Sequence, residues 1–286
     1  METVGFDEVI AGYLAAYDKA TRTLYRGHIN AWLSWCSENL IDPININRSH
    51  IEVYGRWLRE RMGRTKSTQA SALNAICGLY RYAHETGFID HDPGENVRHP
   101  RVARHSAGTW LDRDQARDFL AVSRSLSARD AALCHLLLLN GPRVGEAVGL
   151  DVTDYHPGER PWVRFHRKMD WMQDVTLAPK AALMIDAYIG IRAKGPVFLG
   201  PTRKRLTIAD AEAVVGAVAF RAGIHGITPH SLRRSFCTLS RDAGADDRDI
   251  MASGGWATKH MLDYYDMGTR GRKSHAPSTL QHYLYE

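Results

Sequence analysis

The chain is poor in cysteine. It has four, Cys36, Cys77, Cys134 and Cys237, with no CxxC pair among them. That spacing supports neither a zinc site nor a disulfide framework, so the thiols read as reduced residues of a cytosolic protein. Long apolar runs are also lacking. Stretches such as Leu136–Leu139 are far shorter than the ~20 residues needed to cross a bilayer, so no membrane partner is expected. The N-terminus, METVGFDEVI, lacks the charged-then-apolar build of a signal peptide. No internal repeat or low-complexity tract appears, and nothing suggests a metal or other cofactor. A cytoplasmic, nucleoid-associated protein is the expectation.

What the chain does have is an uneven charge. Its 286 residues suffice for one large or two ordinary domains, and the formal net charge is +5. Residues 1–100 carry 11 Lys+Arg against 12 Asp+Glu, leaving 26 against 20 in the remainder, so the positive surplus lies wholly in the second part. The first part still holds a local basic cluster, Arg56, Arg59, Arg61, Arg64 and Lys66, with Glu60 the only acid among them. Such a cluster suits phosphate contacts, and its bland alternative is a solvated helix face.

The apolar pattern is helical from Phe6 to Gly87. Stripes run through Val9, Ile10, Tyr13, Leu14 and Tyr17, then through Leu24, Tyr25, Ile29, Trp32 and Leu33. Ser49-His-Ile-Glu52 reads as a capping box opening a third helix through Met62, and a fourth is expected over Ser67–Glu85, stopped by Gly87. The aromatics of these stripes read as core, Trp32 included. A Pro/Gly/His-rich passage follows that gathers Arg98, His99, Arg101, Arg104 and His105 without hydrophobic periodicity. It marks a linker, either lying along a phosphate backbone or free of contacts. The expected division is a helical domain at 1–98, a linker at 99–107, and a second domain at 108–286.

In the second part, helices are expected at Arg113–Ser125, Ala128–Asn140, Lys180–Ala193 and Ile208–Ala222. Gly141-Pro142 ends one of them, and Arg143 opens a short helix that puts Arg143 and Glu146 on one face. Trp162–His166 and Asp174–Leu177 read as two strands with Lys168 between them, and Val197–Leu199 as a brief third. The fold class is mainly α with a small antiparallel β-sheet.

The most informative stretch runs from His230 to Tyr265. Thr228 suits an N-cap and Pro229 the first helical position of a helix reaching Gly244. On its wheel Leu232, Phe236 and Leu239 share one side, while His230, Arg233, Arg234 and Arg241 share the other with no acid among them. An imidazole and several guanidiniums on one surface suit a bound phosphate, for which DNA is the best candidate.

Arg143 with Glu146, Lys168 in a turn between strands, His230-x-x-Arg233, Trp256 and Tyr265 resemble, in order and approximate spacing, the signature of the tyrosine recombinase, or phage integrase, family. Single pieces recur by accident in many helices; the joint order is specific, and the likeness spans the whole chain. It implies a helical core-binding (SAM-like) DNA-binding domain followed by a catalytic domain. It also implies that Arg143 and Arg233 hold non-bridging oxygens of the scissile phosphate while Glu146 orients Arg143. Lys168 would protonate the leaving 5′ oxygen, with Arg167 an adjacent rival, and Val175-Thr-Leu177 supports that register. His230 would manage the tyrosine proton and Trp256 donate to a phosphate oxygen. The family's nine-residue spacing from Trp256 selects Tyr265 over Tyr264 as nucleophile. Arg234 stands where many members carry another histidine and is read as support.

The chemistry implied is two transesterifications through a 3′-phosphotyrosyl link, without metal or other cofactor. The expected partners are double-stranded recombination sites and three further copies in a tetramer on DNA, with accessory or directionality proteins allowed. Arg56, Arg59, Arg64, Lys66, Arg101, Arg104 and Arg241 are the candidate DNA contacts, and the segment 275–286 a candidate docking tail. The chain begins directly with the core-binding pattern, which points to a compact recombinase. Phage or mobile-element integration is the first reading and chromosome-dimer resolution the second. A type IB topoisomerase and a catalytically inactive DNA-binding regulator stand behind them, and a metal-dependent nuclease would need clustered carboxylates.

Overall fold

The computed structural model describes residues 5–101, 109–167 and 171–270, with side chains as far as 264 in the last stretch. The chain divides into two compact units, Met1–Ala103 and Arg104–Glu286.

The first unit is helical: α1 (Phe6–Ala15), α2 (Lys19–Glu38), α3 (Arg48–Glu60) and α4 (Lys66–Glu85). Side-chain oxygens start three of them. Asp18 accepts from the Thr21 N–H at 2.8 Å, Asn47 from that of His50 and Thr65 from that of Thr68, each relieving a donor that the first turn cannot satisfy. The expected box at Ser49 is corrected. Asn47 is the cap and His50 returns the bond, because the Ser49 hydroxyl donates to Asn47 Oδ1 and Glu52 pairs with Arg48. At the centre Trp32 is fully buried, stacked on Trp35 and edge-on to Tyr54. Its indole N–H donates to Tyr80 Oη at 2.9 Å, and that hydroxyl donates to the Pro43 carbonyl at 2.7 Å, so the core holds no stranded polar group at this point.

The second unit comprises α5 (Arg113–Leu126), α6 (Ala128–Asn140), α7 (Val144–Gly149), a 3₁₀ turn (Val152–Asp154), β1 (Tyr155–His156), β2 (Trp162–His166), β3 (Met172–Thr176), α8 (Pro179–Ile189), α9 (Ile208–Arg221), α10 (Pro229–Asp242), α11 (Asp247–Gly254) and α12 (Lys259–Arg270). Apolar almost all round, α6 runs through the middle, with Leu133, Leu136 and Leu137 fully buried. The sheet is antiparallel in the order β1-β2-β3, with Val163 opposite Val175 and Arg164 paired to Asp174 at 2.7 Å. The observed class is mainly α with one small antiparallel sheet, as the sequence implies.

Three local expectations change. The last strand begins earlier, at Met172. Val197–Leu199 joins no strand, because Pro196 offers no N–H and only isolated bridges form, Asp151 to Pro196 and Leu199 to Arg205. Helix α8 stops at Ile189 because Gly190, at φ +58°, leaves the helical region. Among the described residues, no helix is long and apolar enough to cross a membrane.

Candidate active site

The site begins where α6 ends. Gly141 takes the left-handed conformation, φ +64°, and a Cβ there would run into the Phe236 ring. Pro142 then prevents the helix from resuming, and Arg143 becomes the cap of α7. The Glu146 carboxylate accepts from the Arg143 backbone N–H at 2.9 Å and from its Nη1 at 2.8 Å. Arg143 keeps 38 % of its side chain exposed while Glu146 is buried. The far end of α7 is held by Arg205, whose Nη1 donates to the carbonyls of Val148 and Leu150 and whose Nη2 meets Asp151 at 2.7 Å.

Helix α10 starts as expected, with Thr228 capping Ser231 and Pro229 at its first position. Its cationic side is less open than the wheel implies. Arg233 is buried, its Nη1 donates to the carbonyls of Gly141 and Gly254, and its guanidinium lies 4.0 Å from the Trp256 ring centroid. Arg234 is 1 % exposed and lies over Trp110 at 4.8 Å. His230 has an exposed edge. Partial burial, then the charges of Arg233, Arg234 and Arg143, hold its pKa below the ordinary histidine value, which favours the neutral imidazole.

Arg241 is less open than its place on the wheel implies. Its Nε pairs with Asp247 of α11 at 2.7 Å and its Nη2 with Asp263 of α12 at 2.9 Å, so acids from two later helices face it, and it ties three helices together rather than lying open to a phosphate. A wheel of one helix cannot register partners brought in by others. Asp247, hydrogen-bonded first by Arg241 and then by Lys259, is pushed down to about 2.

Arg167 is the residue that sequence reading undervalued. Its side chain is 2 % exposed and points inward, where Nη1 meets Glu146 Oε2 at 2.9 Å and the Gly254 carbonyl at 3.1 Å, while Nη2 meets the Ser253 carbonyl at 3.0 Å. The sequence offers Arg167 as an adjacent rival to Lys168; the structure gives it a buried carboxylate partner in Glu146. The signal was present: Val163, Phe165 and Arg167 alternate along β2 and just past it, so strand periodicity puts all three on the inner face. Burial pulls the Arg167 pKa down, and the adjacent Glu146 charge pushes it back up.

Trp256 is buried and stacked parallel to Phe236, at 6.3 Å between centroids. Gly254 makes room for it, since a Cβ there would overlap the indole, and Gly255, at φ +69°, makes room for Arg167. The structure therefore gathers Arg143, Glu146, Arg233 and Trp256, joined by Arg167, about the segments 141–143 and 253–256. Tyr264 and Tyr265 follow on α12, with Tyr264 half-buried and the Tyr265 side chain outside the described residues. Lys168, Arg104 and the segment 275–286 also lie outside them. Arg56 and Arg59 pair with Glu60 on the surface of the first unit, while Arg64, Lys66 and Arg101 are exposed.

Comparison with known proteins gives the family and the fold. The profile of the phage integrase family matches residues 109–270. Tyrosine recombinase XerD of Mycobacterium leprae (strain TN) is 33 % identical over 220 residues, covering 70 % of this chain and 69 % of the relative. Tyrosine recombinase XerC of Mycobacterium sp. (strain KMS) is 28 % identical over 295 residues, covering 95 % of this chain and 96 % of the relative. Among solved structures, a lambda integrase tetramer bound to a Holliday junction superposes with a TM-score of 0.73 at 14 % identity, covering 92 % of this chain and 78 % of that one, a likeness of fold.

Proposed function

The chain belongs to the phage integrase family, and on that footing we propose that it cleaves and rejoins double-stranded DNA through a 3′-phosphotyrosyl intermediate formed by Tyr265. The observation that carries this reading is the convergence of the Arg143, Arg233 and Arg167 guanidiniums, the Trp256 ring and one buried carboxylate on two short backbone segments, with Tyr265 on the next helix.

Tyr265 Oη attacks phosphorus and the bond to the 5′ oxygen breaks. The phenol proton passes toward His230, whose depressed pKa leaves it neutral and able to accept, and the leaving oxygen takes a proton from Lys168. Arg143 and Arg233 stabilise the charge that gathers on the non-bridging oxygens, and Trp256 supports Arg233 through its ring face. The freed 5′ hydroxyl of a partner strand then attacks the phosphotyrosine and restores a phosphodiester. Each bond is exchanged for an equivalent one, so no ATP is consumed.

Incubation with a nicked suicide duplex, followed by denaturing electrophoresis, tests this. A retained protein–DNA adduct is expected from wild type and from Tyr264→Phe but not from Tyr265→Phe, and Arg143→Ala should slow adduct formation by about 10²–10³-fold. An adduct that survives Tyr265→Phe would overturn the assignment.

A second reading concerns biological role. The near end-to-end likeness to the mycobacterial tyrosine recombinase XerC favours chromosome-dimer resolution over integration of a phage or mobile element. Recombination between two copies of one site would support the former, and recombination between two unlike sites the latter. Four protomers assembling on paired sites, with the segment 275–286 docking on a neighbour, complete the proposal. Deleting 275–286 should abolish cooperative assembly in a gel-shift titration.

A further inference from the structure

A buried arginine beside a turn is costly to desolvate and therefore calls for partners. Arg167 has them on two sides. Its backbone N–H donates to the Trp171 carbonyl at 2.8 Å, which ties the end of β2 to the start of β3 on either side of Lys168. Its side chain reaches the C-terminal end of α11, where the carbonyls of Ser253 and Gly254 accept from Nη2 and Nη1. Gln173, on the facing strand β3, donates to the carbonyl of Ala252 at 3.0 Å. Three successive carbonyls at a helix end, which have no partner within the helix and carry its negative pole, are thus capped by side chains of the hairpin. Glu146 supplies the counter-charge, and the same carboxylate holds Arg143. Gly255 lacks the Cβ that would collide with the guanidinium.

We propose that Arg167 is a positioning residue for strand cleavage: it fastens the Lys168 turn to the α11 corner that leads into Trp256, so the general acid and the phosphate-binding groups are presented in one register. The inference rests on the recombinase reading and on Lys168 as the acid. A planar fork is needed for this, because one nitrogen must serve Glu146 and Gly254 while the other serves Ser253. A lysine in its place offers a single nitrogen.

The test compares two leaving groups. A nicked duplex selected for binding from a randomised pool is made with the ordinary 5′ oxygen, or with sulfur at the cleavage position mapped from the wild-type adduct. The sulfur departs as a thiolate without taking up a proton, so it removes the need for an acid. Full-length wild type, Lys168→Met, Arg167→Met and Arg167→Lys are assayed for adduct formation. Binding of uncleaved duplex and thermal denaturation are read in the same preparations, and Arg167→Lys, which keeps a charge beside Glu146, stands in should Arg167→Met fail to fold.

On the oxygen substrate both Arg167 variants should lose about 10²-fold in rate, the scale of a misplaced general acid. On the sulfur substrate they should return close to the wild-type rate, as Lys168→Met should. Full-rate cleavage of the oxygen substrate by the Arg167 variants would overturn the inference, as would a loss that sulfur does not relieve. No adduct from wild type on either substrate would instead overturn the recombinase reading beneath it.

Discussion

The two units handle buried polarity in different ways. The first buries neutral groups, with the Trp32 indole, the Tyr80 hydroxyl and the Pro43 carbonyl satisfying one another in series, and keeps Arg48, Arg56 and Arg59 outside beside Glu52 and Glu60. The second buries the guanidiniums of Arg167, Arg233 and Arg234, two of them anchored on backbone carbonyls. Neutral hydrogen bonds stabilise a core modestly, and stranding one buried neutral partner costs about 1–3 kcal/mol. A buried charge is worth little net stability while its partner is present, and is strongly destabilising once that partner is removed. The first unit is thus built for robustness, and the second accepts fragility in return for fixed positive charge.

The contrast is broken most directly at Glu146. Glu146→Gln leaves Arg167 and Arg143 without their shared counter-charge, and chemical denaturation of the full chain should show the second unit weakened by roughly 3–5 kcal/mol. Glu60→Gln in the first unit should leave its denaturation midpoint unmoved, since that ion pair is open to solvent. Next in size is Gly254→Ala, whose added carbon overlaps the Trp256 indole. A loss of about 1–3 kcal/mol is expected, with adduct formation falling further than stability because the ring also supports Arg233. Tyr80→Phe, which strands the Trp32 N–H and the Pro43 carbonyl, should cost about 1–3 kcal/mol in the first unit and leave cleavage untouched.

The smallest effect is in protonation. Histidine resonances followed by NMR in the free protein should place the His230 midpoint below ~6.5, the ordinary value. The lowered pKa means the neutral form persists to more acidic pH, so cleavage should be lost on the acid side only below the usual histidine range. Arg143→Met, which removes one of the charges acting on it, should move the midpoint upward. A midpoint unchanged by that substitution would show that burial, Arg233 and Arg234 set the shift without Arg143.

Much of this was legible in the sequence where local rules govern. Thr228-Pro229 marks the start of α10 and Gly141-Pro142 the end of α6, because caps and breakers act within a few residues. Arg143 and Glu146 stand one helical turn apart, and their pairing follows from spacing alone. What the sequence hid depends on distant chain: Asp247 and Asp263 converge on Arg241 from helices that no local pattern announced, and Trp110 covers Arg234. Asn47 displaced Ser49 as a cap because two oxygens competed for one turn, and geometry decided between them. Arg167 is intermediate, since the alternation through Val163 and Phe165 signalled an inward side chain but could not name its partners.

Helix α7 has six residues, too few for an isolated peptide to hold a helical shape in water. Glu146 and Arg143 secure one end and Arg205 the other, so its order is borrowed from its surroundings. Its amide protons should therefore not fray on their own. In deuterated solvent they should exchange only when the whole second unit opens, at the pace of the α6 core and far behind the exposed turns nearby.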